Sequence, residues 1–238
     1  MKKLHVILIV LVFSQLIAPS CSKKSSGSTP ACQIITIVDQ LGTTTTTFNI
    51  TYNNAGQIST EQYVNSGTNY NKVFTYISST ENITTNNGTT TTTDSITQNS
   101  DGLIESDYNQ SGTTQTVSLY TYSGTELQKE VTTVNGGTPV TTTYTWSNGN
   151  PVSSSDGTTT TTYTYNTKPT EVGDYFQIVQ LLNYGGTFVK TANQLTGYSV
   201  GSTIENVNYT YDNTGKITAL TGTSGSTVEN ITYQYSCN

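Results

Sequence analysis

The sequence predicts an all-β protein: a curved antiparallel sheet or a partly open barrel of consecutive hairpins, with one short apolar helix as a plug. Three observations predict this fold. Aromatic side chains recur about every 23 residues, just before a turn. Threonine, a β-branched residue that suits strands, occurs in long runs. A single stretch departs from this pattern and has helix-like apolar spacing.

The N-terminal 20 residues have the pattern of a bacterial secretory signal peptide. Two lysines precede an apolar run from Leu4 to Phe13, which is too short to cross a ~30 Å hydrocarbon layer as a permanent helix. The small residues before Cys21 resemble a lipobox, so we expect cleavage before Cys21 and lipidation of that cysteine. The alternative is cleavage by signal peptidase I, which would leave Cys21 as a spare thiol.

Residues 21–31 would then form the lipidated start of the mature chain and a flexible tether, SKKSSGSTP. Several acyl chains on Cys21 would anchor the protein stably. Ser22 is a residue that normally permits transfer to the outer membrane. We therefore expect an outer-membrane lipoprotein, facing the periplasm or the exterior, whose folded part is one β-hairpin repeat domain over residues 32–238.

The charge of the chain argues against nucleic acid as a partner. There is no arginine, and nine lysines face fifteen Asp and Glu residues, which gives a net charge of −6. Phosphate backbones are bound by dense positive charge, which this composition does not supply. Roughly 218 mature residues suit one large domain.

The other two cysteines, Cys32 and Cys237, lie near the two ends of the mature chain. Disulfides persist in exported proteins, and two cysteines left after lipidation pair in only one way. We expect a Cys32–Cys237 disulfide that ties the first strand to the last. Two separate thiols are the alternative.

The repeat is clearest in TYNNAGQIS (51–59), YTWSNGNPVS (144–153) and YTYDNTGKIT (209–218). In the last copy, a type I turn at Asp212–Gly215 with a left-handed Gly215 would place Tyr211 opposite Ile217 and Tyr209 opposite Ala219. Side chains alternate across a strand, so the aromatic and aliphatic residues share one face. The aligned aromatic positions, with Gln98 in one copy, are Tyr52, Tyr76, Gln98, Tyr122, Trp146, Tyr165, Phe188, Tyr211 and Tyr235.

The segment DYFQIVQLLNYGG (174–186) is the most apolar stretch of the mature chain. Its apolar residues have helix-like spacing, Asp174 can cap its start, and Gly185 can end it. We interpret it as a short helix, or a buried strand, that plugs the sheet. The repeat is expected to resume at FVKTANQLT (188–196).

Residues for catalysis are scarce. The only histidine is His5, in the signal peptide, which excludes histidine-based triads and metal sites from the mature chain. No phosphate-binding glycine motif is present. The densest acidic group is Asp101, Glu105 and Asp107, with Glu105 and Asp107 predicted on one strand face. We interpret these as solvated charges; a loose Ca²⁺ site and a glycosidase pair are the alternatives. No cofactor is expected.

The units Y-x-Y-[DN]-x-x-G-x-[IL] resemble YD/RHS-type repeats. Together with Cys21, Cys32, the segment YTYNTKPTEVGDYF and the closing YQYSC, they resemble the DUF4595-type lipoproteins of Bacteroidetes over residues 32–238. That resemblance implies a porin-like curved antiparallel sheet in a family without an assigned activity. Asp94-Ser95-Ile96 also resembles an O-glycosylation motif of exported proteins from that phylum.

These observations favour a non-enzymatic binding or structural module of the cell envelope, with a glycan or an envelope protein as its ligand. Tyrosine rows can stack on sugars, so a surface glycan-binding protein using exposed tyrosines is the alternative function. The tyrosines can equally be the core of the sheet. A carboxylate-dependent glycoside hydrolase is the third hypothesis.

Overall fold

The structure, a computed structural model, describes residues 32–237 as one antiparallel β barrel of sixteen strands and one helix. The predicted signal peptide, Cys21 and the tether lie outside the described residues. The elements are β1 (Cys32–Leu41), β2 (Thr44–Tyr52), β3 (Ile58–Asn65), β4 (Thr68–Ile77), β5 (Thr80–Asn86), β6 (Thr91–Gln98), β7 (Ile104–Ser111), β8 (Thr114–Ser123), β9 (Glu126–Val134), β10 (Val140–Ser147), β11 (Asn150–Ser155), β12 (Thr160–Pro169), α1 (Tyr175–Tyr184), β13 (Asn193–Val200), β14 (Thr203–Tyr211), β15 (Ile217–Ser224) and β16 (Thr227–Cys237).

Each strand pairs with the next in the chain, and β16 returns to pair with β1, so the sheet is closed. The expectation of an open or partly open sheet was therefore wrong. The closing pair runs from Cys32 opposite Cys237 to Leu41 opposite Glu229. Cys32 and Cys237 form the expected disulfide at one end of this seam, with their Cα atoms 4.1 Å apart. Closure leaves no unpaired sheet edge.

The barrel has two different ends. The helix end carries the turns at 53–57, 99–103 and 212–216, the 170–192 connection that contains α1, and both described termini. The far end carries the two-residue turns at 42–43, 66–67, 112–113, 201–202 and 225–226 and the longer turns between them. Most inward-facing side chains are apolar towards the helix end and polar towards the far end.

The hairpin at 207–220 shows how the repeat folds. Gly215 has a φ of +92°, and its amide donates to the Asp212 carbonyl at 3.1 Å, as the turn prediction required. Tyr211 lies opposite Ile217 as expected, but Tyr209 lies opposite Leu220 instead of Ala219. A bulge after the turn sets two residues of β15 against one of β14, which shifts the register by one residue.

Bulges of this kind account for several of the recurring aromatic residues. At five of them the first bulged residue has a main-chain carbonyl that accepts a hydrogen bond from a ring on the next strand, at 2.5–2.7 Å. The bonds are Tyr52 to Ile34, Tyr122 to Ile104, Trp146 to Leu127, Tyr209 to Leu195 and Tyr235 to Ile217. Each ring therefore fills the interior and satisfies a carbonyl that the irregular ladder exposes.

Helix α1 begins and ends as predicted. The Asp174 carboxylate accepts a hydrogen bond from the Phe176 amide at 3.0 Å, and Gly185 ends the helix in the left-handed conformation at φ +69°. Phe176, Ile178 and the residues around them are buried in the same apolar core as the inward strand residues. The helix therefore plugs one end of the barrel, and the buried-strand alternative is excluded.

One copy of the aligned repeat is not a strand. Phe188 lies in the connection after α1, is fully buried and packs on Tyr120 with ring centroids 5.2 Å apart. The sheet resumes only at Asn193, where β13 begins. The expectation that the repeat resumes at Phe188 was wrong because the aromatic residue here completes the plug.

The outward positions of β2, β6 and β10 carry only threonine, serine and asparagine. β12 begins in the same way, with outward Thr160, Thr162 and Thr164, but ends in exposed Lys168 and Pro169. Ser95, the hydroxyl of the glycosylation-like motif, is a half-buried residue in the middle of β6. Across residues 32–237, the structure contains no helix with the length and apolar character needed to cross a membrane.

Candidate functional site

Two surfaces of the barrel are chemically distinct: the lumen below α1 and an outward groove on β2–β5. The lumen is acidic. Strand alternation and register place eight of the fifteen acidic side chains of the chain on the inward face. These are Asp39, Glu61, Glu81, Asp94, Asp107, Glu130, Glu205 and Glu229. Among the described residues, one lysine, Lys72, faces the lumen with them.

The predicted acidic group at 101–107 is divided by the fold. Asp101 lies in an exposed turn, and Glu105 is exposed, whereas Asp107 is buried in the lumen with 2% of its surface exposed. The bulge at Ile104 breaks the strict alternation that placed Glu105 and Asp107 on one face. The prediction of a shared face was wrong, and no carboxylate pair forms there on the surface.

A first acidic cluster consists of Asp94, Asp107 and Glu130. Burial, with a smaller contribution from the nearby charges of Asp94 and Glu130, raises the pKa of Asp107 to about 8. Burial also raises the pKa of Asp94, although the Asn109 amide donates a hydrogen bond to it. The pKa of Glu130 is likewise raised by burial, and hydrogen bonds with two neighbouring hydroxyls oppose this shift. The three pKa values therefore move in one direction.

A second acidic cluster consists of Asp39, Glu205 and Glu229. Burial, together with smaller contributions from the charges of Asp39 and Glu205, raises the pKa of Glu229 to about 8. Burial raises the pKa values of Asp39 and Glu205 as well; the Tyr198 hydroxyl partly offsets the shift at Glu205. β14, β16 and β1, which carry this cluster, lie across the barrel from the β6–β9 wall that carries the first.

Lys72 connects the lumen wall to the plug. Its ammonium lies 3.1 Å from a carboxylate oxygen of Glu61, which is fully buried, and also donates to the Leu182 carbonyl in the last turns of α1. A cation near a helix C-terminus is favourable because the exposed carbonyls there carry partial negative charge. The pair therefore holds the C-terminal half of the plug in place.

Glu81 lies directly under the end of α1. It is 1% exposed, and a Cβ atom on Gly185 would come within 1.8 Å of its carboxylate oxygen. Burial raises the pKa of Glu81 to about 8, although the neighbouring Tyr76 hydroxyl favours the ionised form. This contact explains why a glycine ends the helix at a position that also needs a positive φ.

The second surface is a groove of about 970 Å³ on the outside of β2–β5 towards the far end. Four carboxamides lie directly opposite one another across its four strands, in the order Asn49, Gln62, Asn71, Asn86. Beside this row lie outward threonines, Val64 and Asn69, and none of the lining residues carries a charge. We call this surface the amide groove.

Tyrosine rings do not form the binding face of the amide groove. Tyr63 and Tyr70 border it, but register places both on the inward face, stacked with ring centroids 4.7 Å apart. The Lys72 ammonium, which is in the lumen, lies 5.8 Å from the Tyr63 ring centroid. The aligned tyrosines at the helix end also face inward, where they pack against the core.

No set of three or more His, Cys, Asp or Glu side chains within residues 32–237 is arranged to hold a metal ion. Neither the amide groove nor the lumenal clusters were found from the sequence. Their residues are up to about 190 positions apart in the chain, and only strand alternation could have signalled them. One local pattern could have helped: Ile or Leu followed three positions later by Asp or Glu, as in Ile58–Glu61 and Leu127–Glu130. A bulge between the two residues places both side chains on the inward face.

No protein family matches this chain, and no curated protein matches it. Solved structures do. A porin-like protein of Bacteroides uniformis superposes with a TM-score of 0.62 at 16% identity, covering 85% of this chain and 96% of that one. A porin-like protein of Bacteroides vulgatus gives a TM-score of 0.57 at 12% identity, covering 85% and 98%. At these identities the likeness shows the fold, and the chain has a porin-like antiparallel β fold.

Proposed function

We propose that this protein is a non-enzymatic binding module of the bacterial cell envelope and that its amide groove holds an uncharged, hydroxyl-rich ligand, a glycan. The observation that carries the proposal is the row Asn49–Gln62–Asn71–Asn86 in an outward groove without charged side chains. The predicted signal peptide and the predicted lipidation of Cys21 support a location in the envelope. The resemblance to DUF4595-type lipoproteins supports the same location.

The chemistry of the row suits sugar hydroxyls. Gln62 already donates to the Asn71 side-chain oxygen at 3.2 Å. Each carboxamide of the row still has donor and acceptor capacity left, so a neighbouring pair can both donate to and accept from one hydroxyl. Adjacent strands are about 4.8 Å apart, so the row presents such groups at regular intervals across the sheet. A charged ligand would lose hydration without finding an opposite charge, which favours a neutral ligand.

The proposed ligand is therefore still a glycan, but the proposed binding site is the amide groove and not a row of tyrosine rings. The repeat tyrosines expected to stack on sugars face the barrel interior, and the hydroxyls of Tyr52, Tyr122 and Tyr235 bond to bulge carbonyls there. An envelope protein remains the other candidate ligand, since an amide row also pairs with exposed main-chain groups.

A hydrolase is less well supported by the same geometry. A glycosidase needs one carboxyl that is protonated and one that is ionised, in environments that push their pKa values apart. In the first acidic cluster the pKa values of Asp94, Asp107 and Glu130 are all raised. Burial is the largest effect at all three carboxyls, and the contacts that favour ionisation of Asp94 and Glu130 are smaller than burial.

The test is a glycan-array screen of residues 32–238, the part that contains all sixteen strands. A hit should bind saturably and weaken at least about tenfold in the variant Asn49→Ala/Asn71→Ala, since each lost hydrogen bond contributes about 1 kcal/mol. The matched control is Asn206→Ala/Asn208→Ala, two exposed outward amides on β14. Equal loss in both variants, or no binding on the array by a folded barrel, would refute the glycan proposal.

The anchor is tested separately. Cells expressing the full chain should incorporate a labelled fatty acid into the protein and retain it in the outer-membrane fraction. The Cys21→Ser variant should lose both the label and the membrane association. Unchanged labelling in that variant would show that Cys21 is not the lipidated residue.

A further inference from the structure

A small cavity lies beside α1 at the helix end of the barrel. It has a volume of about 300 Å³, and all of its lining residues belong to the 170–192 connection. Six of the seven lining residues are polar, none is acidic, and Val189 is the apolar one. We call it the helix-end cavity. It shares no lining residue with the amide groove or with the lumenal acidic clusters.

The helix-end cavity has an exposed mouth and a buried floor. Lys190 is exposed, and Thr170 and Gln177 are half-buried. Gln180 and Thr187, which line the same cavity, are only 3% and 5% exposed. The lining therefore extends from solvent into the protein, so a ligand can enter beside Lys190 and reach the two buried side chains.

The floor of the cavity carries two polar atoms without partners. Oε1 of Gln180 and Oγ1 of Thr187 are buried, and neither makes a hydrogen bond within residues 32–237. Leaving a buried polar atom unsatisfied is costly, whereas apolar side chains of the same shape would avoid this cost. An amide and a hydroxyl at these positions therefore favour a ligand that has hydroxyl groups of its own.

The mouth of the cavity carries one positive charge. Nζ of Lys190 donates to the Asp101 carbonyl at 3.2 Å, which uses one of its three hydrogens. In the described part of the chain no carboxylate forms an ion pair with Lys190, and the nearby Asp101 and Glu171 side chains do not line the cavity. The remaining hydrogens suit one ligand carboxylate. A phosphate, with about two negative charges, would be only partly compensated by a single lysine.

From this arrangement we propose that the helix-end cavity binds an acidic monosaccharide, a uronic acid, with its carboxylate at Lys190 and its hydroxyls at Gln180 and Thr187. The volume fits one sugar ring, because about 300 Å³ corresponds to about ten water molecules at ~30 Å³ each. This site differs from the amide groove in its position and in the charge of its ligand, and it does not depend on the function proposed for that groove.

The experiment is isothermal titration of the purified full-length protein with D-glucuronate, the probe, at pH 7 and low salt. D-glucose keeps the hydroxyls but lacks the carboxylate, and acetate keeps a carboxylate but lacks the hydroxyls. We expect saturable 1:1 binding of glucuronate that is at least about tenfold tighter than binding of either. Equal binding of glucose would indicate a neutral-sugar site, and equal binding of acetate or inorganic phosphate would indicate an anion site only. Either result would overturn the proposal.

Two single variants test the two parts of the cavity. Lys190→Met should bind glucuronate no more tightly than glucose, whereas the matched control Lys129→Met, at an exposed position on β9, should bind like the parent. Gln180→Leu should weaken glucuronate binding at least about tenfold. If that variant does not fold, Thr187→Val should show the weakening instead.

The amide-groove variant Asn49→Ala/Asn71→Ala separates this proposal from the previous one. It should bind glucuronate like the parent, since neither residue lines the helix-end cavity. Loss of glucuronate binding in this variant would place the ligand in the amide groove. That result, no saturable binding, or unchanged binding by the Lys190 and Gln180 variants would overturn the proposal.

Discussion

Replacing Glu81 by glutamine should make the barrel more stable at neutral pH and should change how its stability depends on pH. Glu81 is buried under the end of α1, where burial raises its pKa from 4.5 to about 8. Between these two values the native barrel holds a proton that the unfolded chain releases. Stability from this group is therefore fully present below pH 4.5 and is lost as the pH rises towards 8.

The magnitude follows from the size of the shift. One pH unit inside this window corresponds to about 1.4 kcal/mol for one group, so from pH 5.5 to 7.5 Glu81 alone should lower the free energy of unfolding by about 3 kcal/mol. The Glu81→Gln side chain is nearly isosteric with the protonated acid and does not titrate. Between pH 5.5 and 7.5 the free energy of unfolding of the variant should therefore fall by about 3 kcal/mol less than that of the parent.

The assay is urea unfolding followed by intrinsic tyrosine and tryptophan fluorescence at pH 5.5 and 7.5. Asp107 and Glu229 titrate in the same window, so the parent should show a steeper fall than Glu81 alone produces. Glu105→Gln, at an exposed position, is the control and should keep the slope of the parent. If Glu81→Gln also keeps that slope, Glu81 is not the buried, protonated group inferred here.

Three further predictions concern the contacts that hold the barrel together. Cys32→Ser should lower the free energy of unfolding by up to about 5 kcal/mol, because the disulfide closes a loop with a sequence separation of 205. The β signature in circular dichroism should stay unchanged, and a variant that melts like the parent would contradict this prediction. Tyr122→Phe should lower the free energy of unfolding in urea by about 1–3 kcal/mol, because the Ile104 carbonyl loses its hydrogen-bond donor. Unchanged stability would mean that another group donates to this carbonyl. Lys72→Met should lower the free energy of unfolding by about 3–5 kcal/mol, because it leaves the Glu61 carboxylate unpaired. Adding Glu61→Gln to this variant should recover much of the lost stability. If it does not, the cost of Lys72→Met comes from lost packing.

Local features of the fold were predictable because they depend on neighbouring residues. Gly215 adopts the positive φ that its turn requires, and Asp174 and Gly185 cap α1 as expected. The bulge in the strand at Ile217, just after the turn, was missed, as were its equivalents beside other turns at the helix end. It moved Leu220 to the place expected for Ala219, because a bulge inserts one extra residue without a strong mark in the composition.

The candidate sites were less predictable than the strands that form them. The bulge at Ile104 separated Glu105 from Asp107, which the alternation rule had placed together. The amide groove depends on the register of β2–β5, which brings Asn49 and Asn86 into one row. Registers between strands are set by side-chain packing and turn geometry acting together, and a one-residue slip reverses every face.

The sequence by itself determined that the chain forms consecutive antiparallel hairpins with a helical insertion, because turn residues and alternation act over a few neighbouring positions. On the expectation that Cys21 is lipidated, it also predicted the Cys32–Cys237 disulfide that the structure contains. Only the tertiary structure decided that the sheet closes, because the pairing of β1 with β16 joins residues about 200 positions apart. Closure in turn gathers eight scattered carboxyls into one lumen, since a closed barrel brings distant inward faces around a shared interior.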